Sequence, residues 1–306
     1  MSKFTSRTIH KAFTAIEHTE GVGARVRRSI GIIGMFNFTP FVAFDHFYVS
    51  PNAGFPDHPH RGQETITYML KGYMDHEDFT GSAGTLGPGD LQFMTAGRGI
   101  VHAEMPRVAP EDSSTSVAEG LQLWVDLPEN LKNTEPRYRD LRKEEIPTIT
   151  PNPKVQIKVI SGISHGTESV KDLAYTPVWF FDVTIQPGGR VEQPLPLEFN
   201  AFVYILAGEV EVAGKVYPKY TNLFLGSEGD GVVVGVREDA QEAAQVAIIA
   251  GQRLEQPIIQ HGPFVLSSRD QVIQALRDYD GRKNGFERAR GWRSEIGRRM
   301  TRHDRS

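Results

Sequence analysis

The chain has 306 residues, no cysteine, 34 basic against 38 acidic side chains and a formal net charge of −4. That length suits one large domain or two ordinary ones, because single cores stop growing near ~250 residues. Hydrophobic residues at 39% and charged residues at 24% describe a soluble globular chain. No apolar run approaches the ~18 residues of a membrane span, and the lack of cysteine excludes disulfides, thiolate metal sites, iron–sulfur clusters and cysteine nucleophiles together.

The first residues lack the apolar core of a secretory signal. Lys3, Arg7 and Lys11 precede any acid, faintly like a transit peptide and better read as an exposed basic start that leads into the first strand. The body reads as β. Thr65 to Leu70, Val178 to Ile185, Ala201 to Leu206 and Val246 to Ile249 alternate apolar and polar side chains. Gly, Pro and Asp break such runs every ten residues or so, the pattern of a sandwich or barrel. Prolines between Glu135 and Asn152 interrupt regular pairing, which places one domain at 1–134 and a second at 135–306. Helix signals come near the end: Ser268 and Gln271 form a capping-box pair before Val272, Ile273, Leu276 and Tyr279.

Charge concentrates in the last 26 residues. They carry nine basic side chains against Glu287, Glu295 and Asp304, while the rest carries 25 basic and 35 acidic ones. A basic tail on an acidic body can seek nucleic acid or an acidic partner. The same segment has Phe286, Ala289, Trp292, Ile296 and Met300 at helical spacing, so it is expected to dock as an amphipathic helix, with Arg290, Arg293 and Arg298 toward solvent and its last basic residues frayed.

An internal repeat organises the chain. At an offset of 136, Glu64 to Gly72 falls on Asn200 to Gly208, with Tyr68 on Tyr204, Leu70 on Leu206 and Gly72 on Gly208. His58 and His60 then fall on Pro194 and Pro196. Proline has no metal-binding atom, so one metal per chain, in the first half, is the expectation.

Two short motifs carry the metal argument. His58-Pro59-His60 places two imidazoles at i and i+2 on one face of a strand, and His102-Ala103-Glu104 repeats that geometry with a carboxylate. Three nitrogens and one oxygen without sulfur suit iron(II), manganese, nickel, copper or zinc. Spacing alone leaves the fourth ligand open, since Glu64 shares the strand parity of His58 and His60. His46 and His76 lack a partner at ligand spacing and are expected in the core or behind the ligands.

The longer motifs resemble the pirin family of the cupin superfamily: the run from His58 to Thr65, His76-Glu-Asp-Phe-Thr-Gly, Gly87-Pro-Gly-Asp and Met94 to Pro106. Glu20 to Gly31, Gln260-His-Gly-Pro-Phe-Val and Asn284-Gly-Phe-Glu-Arg-Ala extend the likeness over nearly the whole chain, closest to eukaryotic members. The resemblance implies an all-β bicupin of two tandem jelly-roll-like barrels, with a few short helices mainly at the C-terminus. It also implies one iron ion in the N-terminal barrel, held by His58, His60, His102 and Glu104, and none in the C-terminal one.

Two functions follow from the resemblance. One is quercetin 2,3-dioxygenase activity, which opens a flavonol ring with dioxygen and releases carbon monoxide, with Glu104 as the base that takes the flavonol proton. The other is an iron- and redox-dependent nuclear co-regulator that contacts a transcription factor. The sequence has no DNA-reading motif and an acidic body, so direct sequence-specific DNA binding is not expected. A monomer in nucleus or cytoplasm fits both readings.

Overall fold

The computed structural model describes residues 4–107 and 117–298; Lys3, Met300 and the basic residues after Arg298 lie outside the described residues. Contacts divide the chain into two units, a larger one of Glu17–Lys143 with Leu254–Ser306, and a smaller one of Met1–Ile16 with Glu144–Arg253. Each contains one seven-stranded and one four-stranded antiparallel sheet, in matching strand order, and a two-stranded ribbon. No helix among the described residues is long and apolar enough to cross a membrane.

In the larger unit the seven-stranded sheet runs Arg137–Leu141, Leu91–Thr95, Gln63–Lys71, Ala118–Asp126, Phe41–Val49, Ala24–Ile30 and Glu17–Glu20. Its four-stranded sheet runs Phe55–His60, Ile100–Arg107, Tyr73–Asp78 and Ala83–Leu86. The smaller unit repeats this plan. Phe199–Ala207 occupies the place of Gln63–Lys71, and Arg190–Pro194 the place of Phe55–His60. The repeat extends to backbone detail: Gly72 and Gly208 both take a left-handed φ, of 68° and 69°. A Cβ at either would come within 2.9 Å of the backbone opposite, so both turns require glycine.

The expected cut between residues 134 and 135 is not where the contacts divide. The strand Arg137–Leu141 pairs with Leu91–Thr95 and keeps residues up to Lys143 in the larger unit. The strand Ile9–Thr14 pairs with Thr221–Leu225 in the smaller one. The segment leading into each repeat thus supplies the edge strand of the other repeat's sheet. The C-terminal segment belongs with the larger unit, because Phe286 and Ala289 pack with Ile100, Val101 and Phe264.

That segment has a different backbone from the one expected. Ser268 caps the helix Arg269–Gly281 by accepting the Gln271 N–H, and the Gln271 side chain accepts from Ser267 N–H. The predicted helix through 286–300 is then broken. Gly285 and Gly291 take φ of 112° and 74°, leaving a 3-10 turn at Glu287–Ala289 and helical backbone again at 295–298. The apolar stripe still docks: Phe286, Ala289 and Ile296 are buried and Trp292 half-buried, with Arg290, Arg293 and Arg298 exposed.

The two units differ in what fills them. The smaller has one continuous apolar core that includes Val159, Phe181, Val183, Val203, Ile205, Leu223 and Ile248. The larger buries polar side chains, among them His60, Gln63, Thr65, Thr67, His102 and Glu104. Buried polar groups need partners or a ligand, and these groups mark the site.

Candidate metal centre

His58 and His60 project from the strand Phe55–His60, and His102 pairs directly opposite His58 on the strand Ile100–Arg107. Alternation puts His58 and His60 on one face, and the cross-strand pair brings in the third ring. The ring centroids stand 4.9, 4.4 and 5.0 Å apart, a nearly equilateral triangle. One donor atom from each lies within 4.8 Å of the others. The expected histidine triad is therefore assembled by the fold.

The proton positions favour ligation. His58 Nδ1 lies 2.8 Å from the Pro56 carbonyl, which only an Nδ1–H can donate to, and this leaves Nε2 as a bare lone pair. That Nε2 faces His102 Nε2 at 2.9 Å. His60 Nδ1 is engaged by the Gln63 amide at 2.9 Å. If Gln63 presents its oxygen, which otherwise has no partner, His60 Nδ1 keeps its proton and Nε2 is again the donor. Burial, reinforced by the neighbouring His58, holds the pKa of His60 and of His102 well below 6.5. Both rings are neutral at physiological pH, the state a metal requires. His102 Nδ1 is buried without a hydrogen-bond partner, so the three imidazoles do not satisfy one another. The cluster fits a metal ion.

Glu104 stands beside the triad, its Oε2 3.9 Å from His102 Nε2. It is held loosely, by Gln122 Nε2 at 3.3 and 3.5 Å and by the Thr67 hydroxyl at 3.5 Å. Thr67 in turn donates to Gln122 Oε1 at 2.6 Å. Glu64 goes elsewhere: its carboxylate accepts from the Thr95 hydroxyl at 2.7 Å. The strand breaks after His60, at Gly62 with φ 80°, and this resets the parity that seemed to align Glu64 with the histidines. After the break Gln63 faces His60 and Thr67 faces Glu104, so Glu64, between them, points to the opposite face.

His46 and His76 stay outside the triad. Both are buried against carboxylates, His46 Nε2 at 3.0 Å from Glu119 and His76 Nε2 at 3.1 Å from Asp140.

His58 and His60 form part of the wall of a cavity of about 920 Å³, together with Glu104, Gln122, Phe47, Phe55 and Trp124, with the His102 ring beside them. The Trp124 ring meets His60 edge-on at 5.0 Å. Sequence reasoning missed Gln63, Thr67, Gln122 and Trp124. A signal existed for two of them. Gln122 and Trp124 alternate with Leu121, Leu123 and Val125, all three fully buried, so they mark the other face of that strand.

Two antiparallel barrel-like units, one filled with hydrophobic side chains and one holding a histidine triad beside a cavity, define a bicupin. Residues 23–125 match the Pirin family model, and residues 180–285 match the model of the Pirin C-terminal cupin domain. Human Pirin is 43% identical over 299 residues, covering 96% of this chain and 99% of its own length. A Pirin-like protein of Solanum lycopersicum is 42% identical over 292 residues, covering 94% and 97%. A crystal structure of a quercetin 2,3-dioxygenase from Acinetobacter baumannii superposes with a TM-score of 0.82 at 27% identity, over 92% of this chain and 99% of that one. The chain belongs to the pirin family.

Proposed function

We propose that this protein is an iron-dependent dioxygenase that acts on flavonol-like substrates, with His58, His60, His102 and Glu104 holding one iron ion. The observation that carries the reading is the histidine triad, two of whose rings, His58 and His60, line one aromatic-walled cavity. A volume of about 920 Å³ falls within the range for small-molecule sites, ~300–1,000 Å³. Phe47, Phe55 and Trp124 offer flat apolar walls to a planar ring system. A bound metal supplies Lewis acidity that lowers the proton affinity of a substrate hydroxyl, and positions left open by four protein ligands.

Glu104 takes the hydroxyl proton. Its contacts are long, so little is lost when the carboxylate turns toward a substrate. Gln63 and the Pro56 carbonyl fix the orientation of His60 and His58. The likeness to the Acinetobacter enzyme supports the reaction class. Flavonol-dependent oxygen uptake by iron-loaded protein, abolished in His60→Ala and changed by metal exchange, is the test. Absent turnover with iron still bound refutes it.

A specific observation favours a second reading. Asp57, beside His58, accepts from the Ser294 hydroxyl, and Glu77 accepts from the backbone N–H of Glu295 at 2.9 Å. The metal-bearing sheet is therefore tied to the docked C-terminal segment, whose Arg290, Arg293 and Arg298 are exposed, a route by which iron state can bias a surface that contacts a transcription factor in the nucleus or cytoplasm. Iron-dependent capture of such a partner by turnover-deficient protein distinguishes this reading from the first.

A further inference from the structure

The basic C-terminal segment has no part in the reactions above, yet the fold gathers its charge. Arg282 at the end of the helix, Arg293 after the Gly291 bend and Arg298 on the last helical turn line one groove of about 510 Å³. Gly291, at φ 74°, bends the chain between Arg282 and Arg293. Trp292 and Tyr279 form part of its wall, and Val101 and Asp57 part of its lining.

The charges in the groove do not cancel. Arg298 pairs with Glu295 at 2.7 Å, and Asp57, which accepts from the Ser294 hydroxyl, keeps its negative charge and leaves Arg282 and Arg293 in excess of it. Arg282 stacks on Tyr279, its Cζ 4.4 Å from the ring centre, and donates to the Tyr279 carbonyl at 3.0 Å. Arg293 donates to the Trp292 carbonyl at 3.2 Å. Neither Arg282 nor Arg293 has a carboxylate partner among the described residues. Two guanidiniums without counter-ions, beside aromatic rings in a concave site, present planar donor forks that suit two oxygens of an anion such as phosphate.

We propose that this groove binds a small phosphate-bearing molecule, free phosphate or the phosphate of a mononucleotide. Its volume suits a ligand of that size. A docked protein segment needs a contact of ~800 Å² per partner, which a groove this small does not provide by itself. The position adds a consequence. Val101 immediately precedes His102 and Asp57 immediately precedes His58, so an occupant sits behind the two strands that present the metal ligands.

The test uses full-length protein and three probes in isothermal titration: inorganic phosphate, adenosine monophosphate and adenosine. Phosphate and adenosine monophosphate should bind, and adenosine should not. Adenosine monophosphate binding at least ten-fold tighter than phosphate identifies a nucleotide source, and equal binding identifies free phosphate. The double substitution Arg282→Gln/Arg293→Gln should weaken both anions by ten-fold or more without moving the thermal midpoint. Trp292→Phe, which keeps a ring in the wall, should retain phosphate binding. No binding at millimolar phosphate or nucleotide, equal binding of adenosine, or undiminished binding by the double variant would each overturn the proposal.

Discussion

Phe286→Ala tests how the C-terminal segment stabilises the larger unit. The ring is fully buried. It meets Tyr279 at 5.3 Å and Phe264 at 6.3 Å, both nearly edge-on, and the Arg61 guanidinium lies 4.7 Å from its centre. It also packs against backbone, since a Cβ on Gly99 would come within 2.9 Å of it. Truncation therefore leaves a cavity that the rigid strand beside Gly99 cannot close. A Phe→Ala change in such a core costs about 3–5 kcal/mol. At ~2–4 °C per kcal/mol for a unit of this size, the midpoint should fall by roughly 6–20 °C. Trp292 is half-buried, with one edge contact to Phe79 at 6.5 Å, so Trp292→Ala should cost about half as much. Exposed Arg290, Arg293 and Arg298 serve as the control, because such substitutions rarely exceed ~0.5 kcal/mol each. The effect should reach the metal. Arg61 follows His60 directly and is held by Asp278 at 2.9 Å and the Arg98 carbonyl at 2.7 Å, so losing its aromatic contact loosens the end of the ligand strand. Scanning calorimetry of metal-free protein and a chelator competition measure the two effects. A midpoint shift below ~3 °C, or one no larger than that of Trp292→Ala, refutes the reasoning.

Glu104→Gln should weaken metal binding more than Glu64→Gln, because Glu104 stands 3.9 Å from His102 Nε2 whereas Glu64 is bonded to Thr95; the reverse order in a chelator competition defeats the parity argument. Gln122→Leu removes the amide that orients Glu104 and the acceptor of Thr67. It should lower metal affinity by about ten-fold, as losing a group behind a ligand commonly does, and a change within two-fold would show that Glu104 needs no such support. The metal-free protein should lose stability on acidification. Burial depresses the His60 and His102 pKa values in the folded state, so the unfolded chain takes up protons first. The stabilisation is complete above about pH 6.5 and declines below it toward the depressed values, with a slope approaching about 2.7 kcal/mol per pH unit from two groups. Urea midpoints that stay level between pH 7 and 5.5 would show the two rings to be ordinary histidines.

Much of the fold could be read from period-two alternation and the repeat, because those patterns are local. What could not be read is where long-range pairing sends a segment. The strand Ile9–Thr14 alternates half-buried and exposed residues, as an edge strand of any sheet would. Nothing in its sequence says that its partner is Thr221–Leu225, more than 200 residues away. The C-terminal stripe shows the opposite case. Phe286, Ala289 and Ile296 do bury, yet the helical spacing of the stripe misstates the backbone. Gly285 and Gly291 interrupt a pattern whose burial is set by the surface receiving it, here Phe264, Ile100 and Phe79.

The site shows the same division between local and long-range information. His58 and His60 share a face because they share an unbroken strand, and that step needs only the alternation of side chains. Extending the parity to Glu64 assumes that the strand continues, and it does not. At Gly62 a Cβ would lie 2.1 Å from the Val265 carbonyl oxygen, so this position is glycine because another part of the chain crosses there. Lys132 reinforces the crossing by donating to the Gly62 and Val265 carbonyls at 3.0 and 2.9 Å while paired with Asp126. A contact made some 200 residues downstream thus decides which glutamate can face the metal. The second repeat has no counterpart site. At the repeat offset His58 and His60 fall on Pro194 and Pro196, which offer no donor atom, and the interior of that unit is closed by the continuous apolar core.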